Sequence, residues 1–234
     1  MDKKLVERVK LIDEKIRAVG ANKFFVNMTY QTLNYVDNVY SFLVHYCKYD
    51  TASERLVKRS AVGGKFDSEL YNRLLNLDNC IKTGNGVCKQ FSQLFCLLVG
   101  NYLGKEGDTS VKFGFINTNV NYVNSYGKWL VDPHSLNFVE VDGKKYFYDI
   151  AMGIMDSVKR QNAYKEFCRV DAKKYQESLF KYDNKSTLNM QKEPIVVYVK
   201  PNGVEKIYET LTSNLYIKTT QDYSAKKDAT LFKF

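Results

Sequence analysis

The chain has 234 residues, 44% of them hydrophobic and 26% charged, with 35 basic against 26 acidic side chains and a net charge of +9. That length and balance exclude bulk disorder and a collagen-like chain, and they allow a core that folds without staples. No apolar run approaches the roughly 18 residues of a membrane span, and Met1–Glu7 turns amphipathic at once with no apolar leader, so a cytoplasmic chain with no membrane partner is expected.

Residues 2–19 place Leu5, Val9, Ile12, Ile16 and Val19 three or four apart, which predicts an amphipathic helix stopped by Gly20. Residues 27–49 carry Tyr35, Tyr40, Leu43 and Tyr46 at helical spacing and predict a second, more buried helix. Residues 61–65 read as a loop, and Asp67 or Ser68 could cap a helix running to about Leu77. Gly84-Asn85-Gly86 then breaks the chain. From Val87 to Leu103 the most apolar helix follows, with Phe91, Leu94, Phe95, Leu98 and Tyr102 on one face and Gly104 as its stop.

Beyond Gly104 the period changes to two. Val111–Ile116 reads as a strand. Residues 137–141 and 144–149 flank Asp142-Gly143, a turn pair whose tolerance of positive φ marks a hairpin. Residues 195–199 and 204–208 flank Pro201-Asn202-Gly203 and read as a second hairpin. Helices first and strands after predict an α+β fold. No repeat, low-complexity tract or Gly/Ser linker divides residues 1–234, so one domain is expected.

The five cysteines are odd in number and form no C-x-x-C pair, which fits reduced thiols rather than a disulfide framework. Cys80, Cys88 and Cys96 lie eight apart, whereas structural zinc prefers pairs two to four residues apart, so no metal site is read. Cys96 and His45 read as packing residues. The lysines are scattered, with no block of five like charges, so the excess charge is assigned to composition and no specific nucleic-acid partner is expected.

One constellation carries chemistry. Cys88 falls at the N-terminus of the apolar helix, where the helix dipole favours a thiolate. His134 opens the first hairpin strand and Asp149 closes the second, with the Asp142-Gly143 turn midway between them. A hairpin folded there brings histidine and aspartate within reach of each other. Nucleophile, base and orienting acid then follow in chain order as Cys88, His134 and Asp149.

Gly86-Val87-Cys88-Lys89-Gln90-Phe91-Ser92-Gln93-Leu94-Phe95 resembles the nucleophile helix of the transglutaminase-like superfamily, whose usual form is G-V-C-x-x-[FY]-[SA]-x-L-[FL]. Residues 134–149 are similar to its His–hairpin–Asp segment, H-x-W-N-x-V-x-[VL]-D-G-x-W-Y-x-x-D. The resemblance runs from about Tyr71 to Asp149, about a third of the chain. Leu136, Lys145 and Ile150-Ala151 stand where the family usually has an aromatic residue, Trp and Pro-Thr. These departures fall on sheet packing and cleft walls rather than on the triad.

The resemblance implies a papain-like α+β core with the nucleophile helix packed on an antiparallel sheet. A catalytic core over 66–153 would follow an N-terminal helical region, 1–65, and residues 154–234 would complete the domain with helices and a hairpin. It implies a Cys88–His134–Asp149 triad acting on peptide or protein amides through a thioester, without a cofactor. Hydrolysis by a protease, amidase or deamidase is the expected outcome. Transfer to an amine by a transglutaminase, or a catalytically idle binding module, are the alternatives. The Cys88 backbone N–H is a natural oxyanion donor, and the family usually adds a side chain from the preceding segment. Tyr71, Asn79 and Asn85 qualify chemically.

Overall fold

The computed structural model describes residues 1–20, 28–60, 68–106, 110–123, 126–127, 129–160, 163–182, 187–188, 195–213 and 225–227. Helices α1 (Lys3–Gly20) and α2 (Met28–Tyr46) open the chain. Strand β1 (Lys48–Tyr49) leads into α3 (Thr51–Ser60), and α4 (Ser68–Leu74), α5 (Leu77–Thr83) and β2 (Asn85–Gly86) follow. Next come α6 (Cys88–Lys105), β3 (Lys112–Val123), β4 (Trp129–Val141) and β5 (Lys144–Tyr148). The described chain ends with α7 (Ile150–Arg160), a 3-10 helix (Ala163–Phe167), α8 (Ala172–Tyr182), β6 (Thr187–Leu188), β7 (Ile195–Val199), α9 (Val204–Thr212) and β8 (Ala225–Lys227). The architecture is α+β. The main sheet runs β5-β4-β3-β7-β8, with β6 also on β3, and its described pairings are antiparallel.

Helix α6 is the centre of the core. Every residue from Gln90 to Leu103 is buried, as expected of a helix that is apolar nearly all round. It packs on β3 and β4 and against α2, α5, α7 and α9. Gln93 Nε2 donates to the Leu211 carbonyl at 2.8 Å. Asn137 of β4 donates to the carbonyls of Ser92 at 3.0 Å and Gly114 at 3.2 Å, bolting the sheet to the helix. Gly100 lets α9 close on α6, because a Cβ there would stand 2.6 Å from Ile207 Cδ1.

The Asp142-Gly143 turn has φ of 50° and 73°, both positive as a type I′ turn requires. It sets the register Val141↔Lys144 through Asn137↔Tyr148. Other expectations are corrected. Val204–Thr212 is a helix, not the return strand of a hairpin: Val204, Ile207 and Leu211 are buried at helical spacing. Strand β7 pairs instead with β3 and β8.

The second helix ends at Tyr46 rather than residue 49, because Lys48 and Tyr49 pair in parallel with Asn85 and Gly86. The expected helix from Ser68 to Leu77 is two helices, since the Asn76 side chain accepts the Asn79 N–H at 2.8 Å and starts a new one. Helix α3, capped by Asp50 through the Ser53 N–H at 3.0 Å, has no counterpart in the sequence reading. Gly104 lies inside α6, which runs to Lys105. The expected loop at 61–65 and the capping role of Asp67 lie outside the described residues.

Candidate active site

Cys88 is the first residue of α6, so its N–H, like those of Lys89 and Gln90, has no acceptor within the helix. The chain just before it is held rigidly. Lys48 N–H donates to the Gly84 carbonyl at 3.0 Å and Asp50 N–H to that of Gly86 at 2.8 Å. Gly84 takes φ of +76°, and a Cβ there would lie 2.7 Å from the Tyr46 carbonyl oxygen. Inside the helix, Gln90 reaches back to the Val87 N–H at 3.4 Å and donates to the Leu75 carbonyl at 2.9 Å and the Tyr71 hydroxyl at 3.1 Å. The thiol is therefore presented from a fixed helix end, and it is only partly buried.

His134 lies on β4 opposite Thr118 of β3. Strand β5 ends at Tyr148, so Asp149 stands just past the strand rather than within it, directly before α7. Three backbone bonds fix that corner: Phe147 N–H to Val170 O at 2.7 Å, Val170 N–H to Phe147 O at 3.1 Å, and Asp149 N–H to Phe167 O at 3.1 Å. The fully buried Asp149 carboxylate does two jobs. Its Oδ1 accepts the Met152 N–H at 2.9 Å, which caps α7. Its Oδ2 bonds His134 Nε2 at 2.6 Å and accepts the Tyr175 hydroxyl at 2.7 Å.

The third member closes the set, because the Cys88 thiol hydrogen-bonds the His134 ring. With Nε2 taken by Asp149, Nδ1 is the nitrogen left to face the sulfur. Burial opposes charge on this imidazole, but the Asp149 carboxylate and then the Cys88 sulfur outweigh it, and His134 titrates well above the ordinary histidine range. The arrangement can take a thiol proton, hold it and deliver it to a leaving group.

Four more side chains sense charge on Cys88. Burial raises Tyr49, Tyr71 and Tyr175, and a Cys88 thiolate adds to each; Tyr71 is pushed up to about 12. Burial lowers Lys89, which the Cys88 charge opposes. Of the three oxyanion candidates, Tyr71 is the one whose hydroxyl feels the Cys88 charge, and it accepts from Gln90. Asn79 uses its side-chain amide on the Leu74 carbonyl at 3.5 Å, and Asn85 is exposed on β2. Neither hydrogen-bonds a member of the triad.

Tyr49 was missed in the sequence. Its hydroxyl donates to Glu54 at 3.3 Å and its ring meets Phe91 edge-on at 6.2 Å. As one of 18 tyrosines, it carries no local signal that sets it apart. Tyr175 was missed for the same reason. Cys96 is buried in the core as expected, with Asn137 donating to its sulfur at 3.4 Å. His45 is not a packing residue: it is exposed, with Nδ1 2.6 Å from the Ser41 carbonyl. Among the described residues, no helix is long and apolar enough to cross a membrane. Compared with known proteins, the chain matches no family model and no curated sequence.

Proposed function

We propose that this chain is a cysteine-dependent hydrolase of peptide or side-chain amides, with a papain-like core of the transglutaminase type. The observation that carries the reading is the 2.6 Å bond from His134 to the buried Asp149, with the Cys88 thiol, at a helix N-terminus, interacting with the same imidazole. That is the nucleophile, base and orienting acid that amide cleavage requires.

The steps follow from the geometry. His134 holds the thiol proton, and the Cys88 thiolate attacks the carbonyl carbon of the amide. A C–S bond forms and the carbonyl π electrons move to oxygen, where the Cys88 N–H donates to the developing charge. Collapse of this intermediate breaks the C–N bond, and His134 gives its proton to the departing nitrogen. The amine leaves and a thioester remains. Neutral His134 then takes a proton from water as its oxygen attacks the thioester. The C–S bond breaks, the acid leaves, and the thiolate–imidazolium pair is restored. Asp149 keeps the imidazole oriented throughout and offsets its positive charge. Water is the acceptor at hand unless a site excludes it.

The test is a panel of protein and peptide substrates incubated with wild-type protein and with Cys88→Ala, read by intact mass. Cleavage, or a gain of about 1 Da from deamidation, that is lost in the variant supports hydrolysis of a thioester. If a supplied primary amine is incorporated faster than water is consumed, the same thioester serves a transglutaminase. No Cys88-dependent change across the panel contradicts the enzyme reading.

A further inference from the structure

A cavity of about 380 Å³ lies between α4, α5, the first turns of α6 just after Cys88, and the end of α9. That is the size range of small-molecule and side-chain pockets. Its wall includes Tyr71, Asn72, Asp78, Lys89, Gln93 and Thr212. Lys89 follows the nucleophile in the chain, and its ammonium lies 5.5 Å from the centre of the Tyr71 ring, a cation–π contact that fixes its position.

Lys89 is mostly buried, yet among the described residues it makes no ion pair with a carboxylate. The charge on Cys88 favours its protonated form. A buried cation without a carboxylate partner is costly, and here it stands on the wall of an open cavity at the positive end of a helix. Asp78, the acidic residue of the same wall, is engaged by the Tyr208 hydroxyl. The wall thus offers the cation of the residue that follows the nucleophile, while its carboxylate is held by Tyr208.

We infer that this cavity binds a carboxylate of the substrate, with Lys89 as its counter-ion, so that the chain acts on amides flanked by an acidic group. The inference rests on Cys88 being the nucleophile and adds the class of substrate it selects. The carboxylate can come from an Asp or Glu side chain or from a chain terminus, because both present the same anion to the ammonium.

Matched electrophiles test this without knowledge of the natural substrate. The reagents are iodoacetyl-glutamate amide against iodoacetyl-glutamine amide, and iodoacetyl-glycine against its amide. In each, the thiolate displaces iodide and forms one C–S bond, and mass mapping reads the rate at Cys88. The ratio of acidic to neutral reagent is taken within each variant, so a change in the thiol itself cancels.

In wild type at least one pair is expected to favour the acidic reagent, by about fivefold. An advantage in the glutamate pair assigns a side-chain carboxylate, and one in the glycine pair a terminal one. Lys89→Gln should bring the ratio to near one, Lys89→Arg should retain it, and Lys89→Glu should invert it. Raising salt on wild type should shrink it, a readout that needs no variant. Ratios at or below one in wild type, or an advantage that survives Lys89→Gln, overturn the inference while leaving the nucleophile in place. A Cys88 that reacts with none of the four reagents overturns both.

Discussion

Asp149 accepts three hydrogen bonds and shares a single oxygen between His134 and Tyr175. Tyr175→Phe keeps the ring against Phe147 and Phe167 but removes one donor from that oxygen. The variant is expected to lose about 1–2 kcal/mol of stability. It should also slow Cys88 alkylation several-fold, less than Asp149→Asn does, as a rate series across the three proteins would show. His134 adds a pH signature. Its imidazolium is favoured in the folded chain over the unfolded one, where histidine titrates near 6.5. The stabilisation is therefore complete below about pH 6.5 and lost as pH rises through the folded value. The gap in urea midpoint between wild type and His134→Gln should narrow steadily from about pH 6 upward. A gap that widens would contradict the charge assigned to His134. Cys88, His134 and Asp149 were legible in the sequence because an Asp-Gly turn and a Gly break fix their places locally. Tyr49, Tyr175 and the capping role of Asp149 were not, because each depends on a partner brought in by the tertiary fold.

Among the elements, α6 and the β4–β5 hairpin matter most, and Asn137 is the joint between them. Asn137→Ala removes its donations to the Ser92 and Gly114 carbonyls and to Cys96 sulfur, the bonds that join the sheet to the helix. A loss of about 2 kcal/mol is expected, measured by urea unfolding, with Cys88 reactivity reduced as the sheet loosens from the helix. Asn76→Ala should cost about 1 kcal/mol by uncapping α5. The long α6 and the hairpin were readable from the sequence, because their apolar period persists over several turns or is anchored by an obligate turn. The segment after Gly203 was not: Val204, Ile207 and Tyr208 are too few to separate a short helix from a strand. What decides is the groove that Gly100 opens on α6 for Ile207. Lys48 and Tyr49 were read as helix because only their pairing with Asn85 and Gly86, distant in sequence, makes them a strand.

At the scale of the whole molecule, the charge of +9 gives a field but no motif. Any binding to DNA or RNA should be independent of sequence and fall steeply between roughly 50 and 200 mM salt. A complex in a shift assay that withstands the higher salt would contradict that expectation. What the fold accomplishes is to bring a helix end, a mid-strand histidine and a strand-to-helix corner to one point. The Cys80 hydrogen bond and then burial meanwhile raise the Cys47 thiol, and burial raises Cys96 and Cys168. The most direct test is competitive labelling of all five cysteines with substoichiometric iodoacetamide at about pH 6, where an ordinary thiol is well under 1% ionised. It is run on native protein, on protein in about 6 M urea and on native His134→Ala. The account predicts label on Cys88 first in the native chain, near-equal label on all five in urea, and at least about tenfold slower labelling of Cys88 without His134. Native label that reaches Cys168 before Cys88, or a Cys88 rate unchanged by His134→Ala, would contradict it.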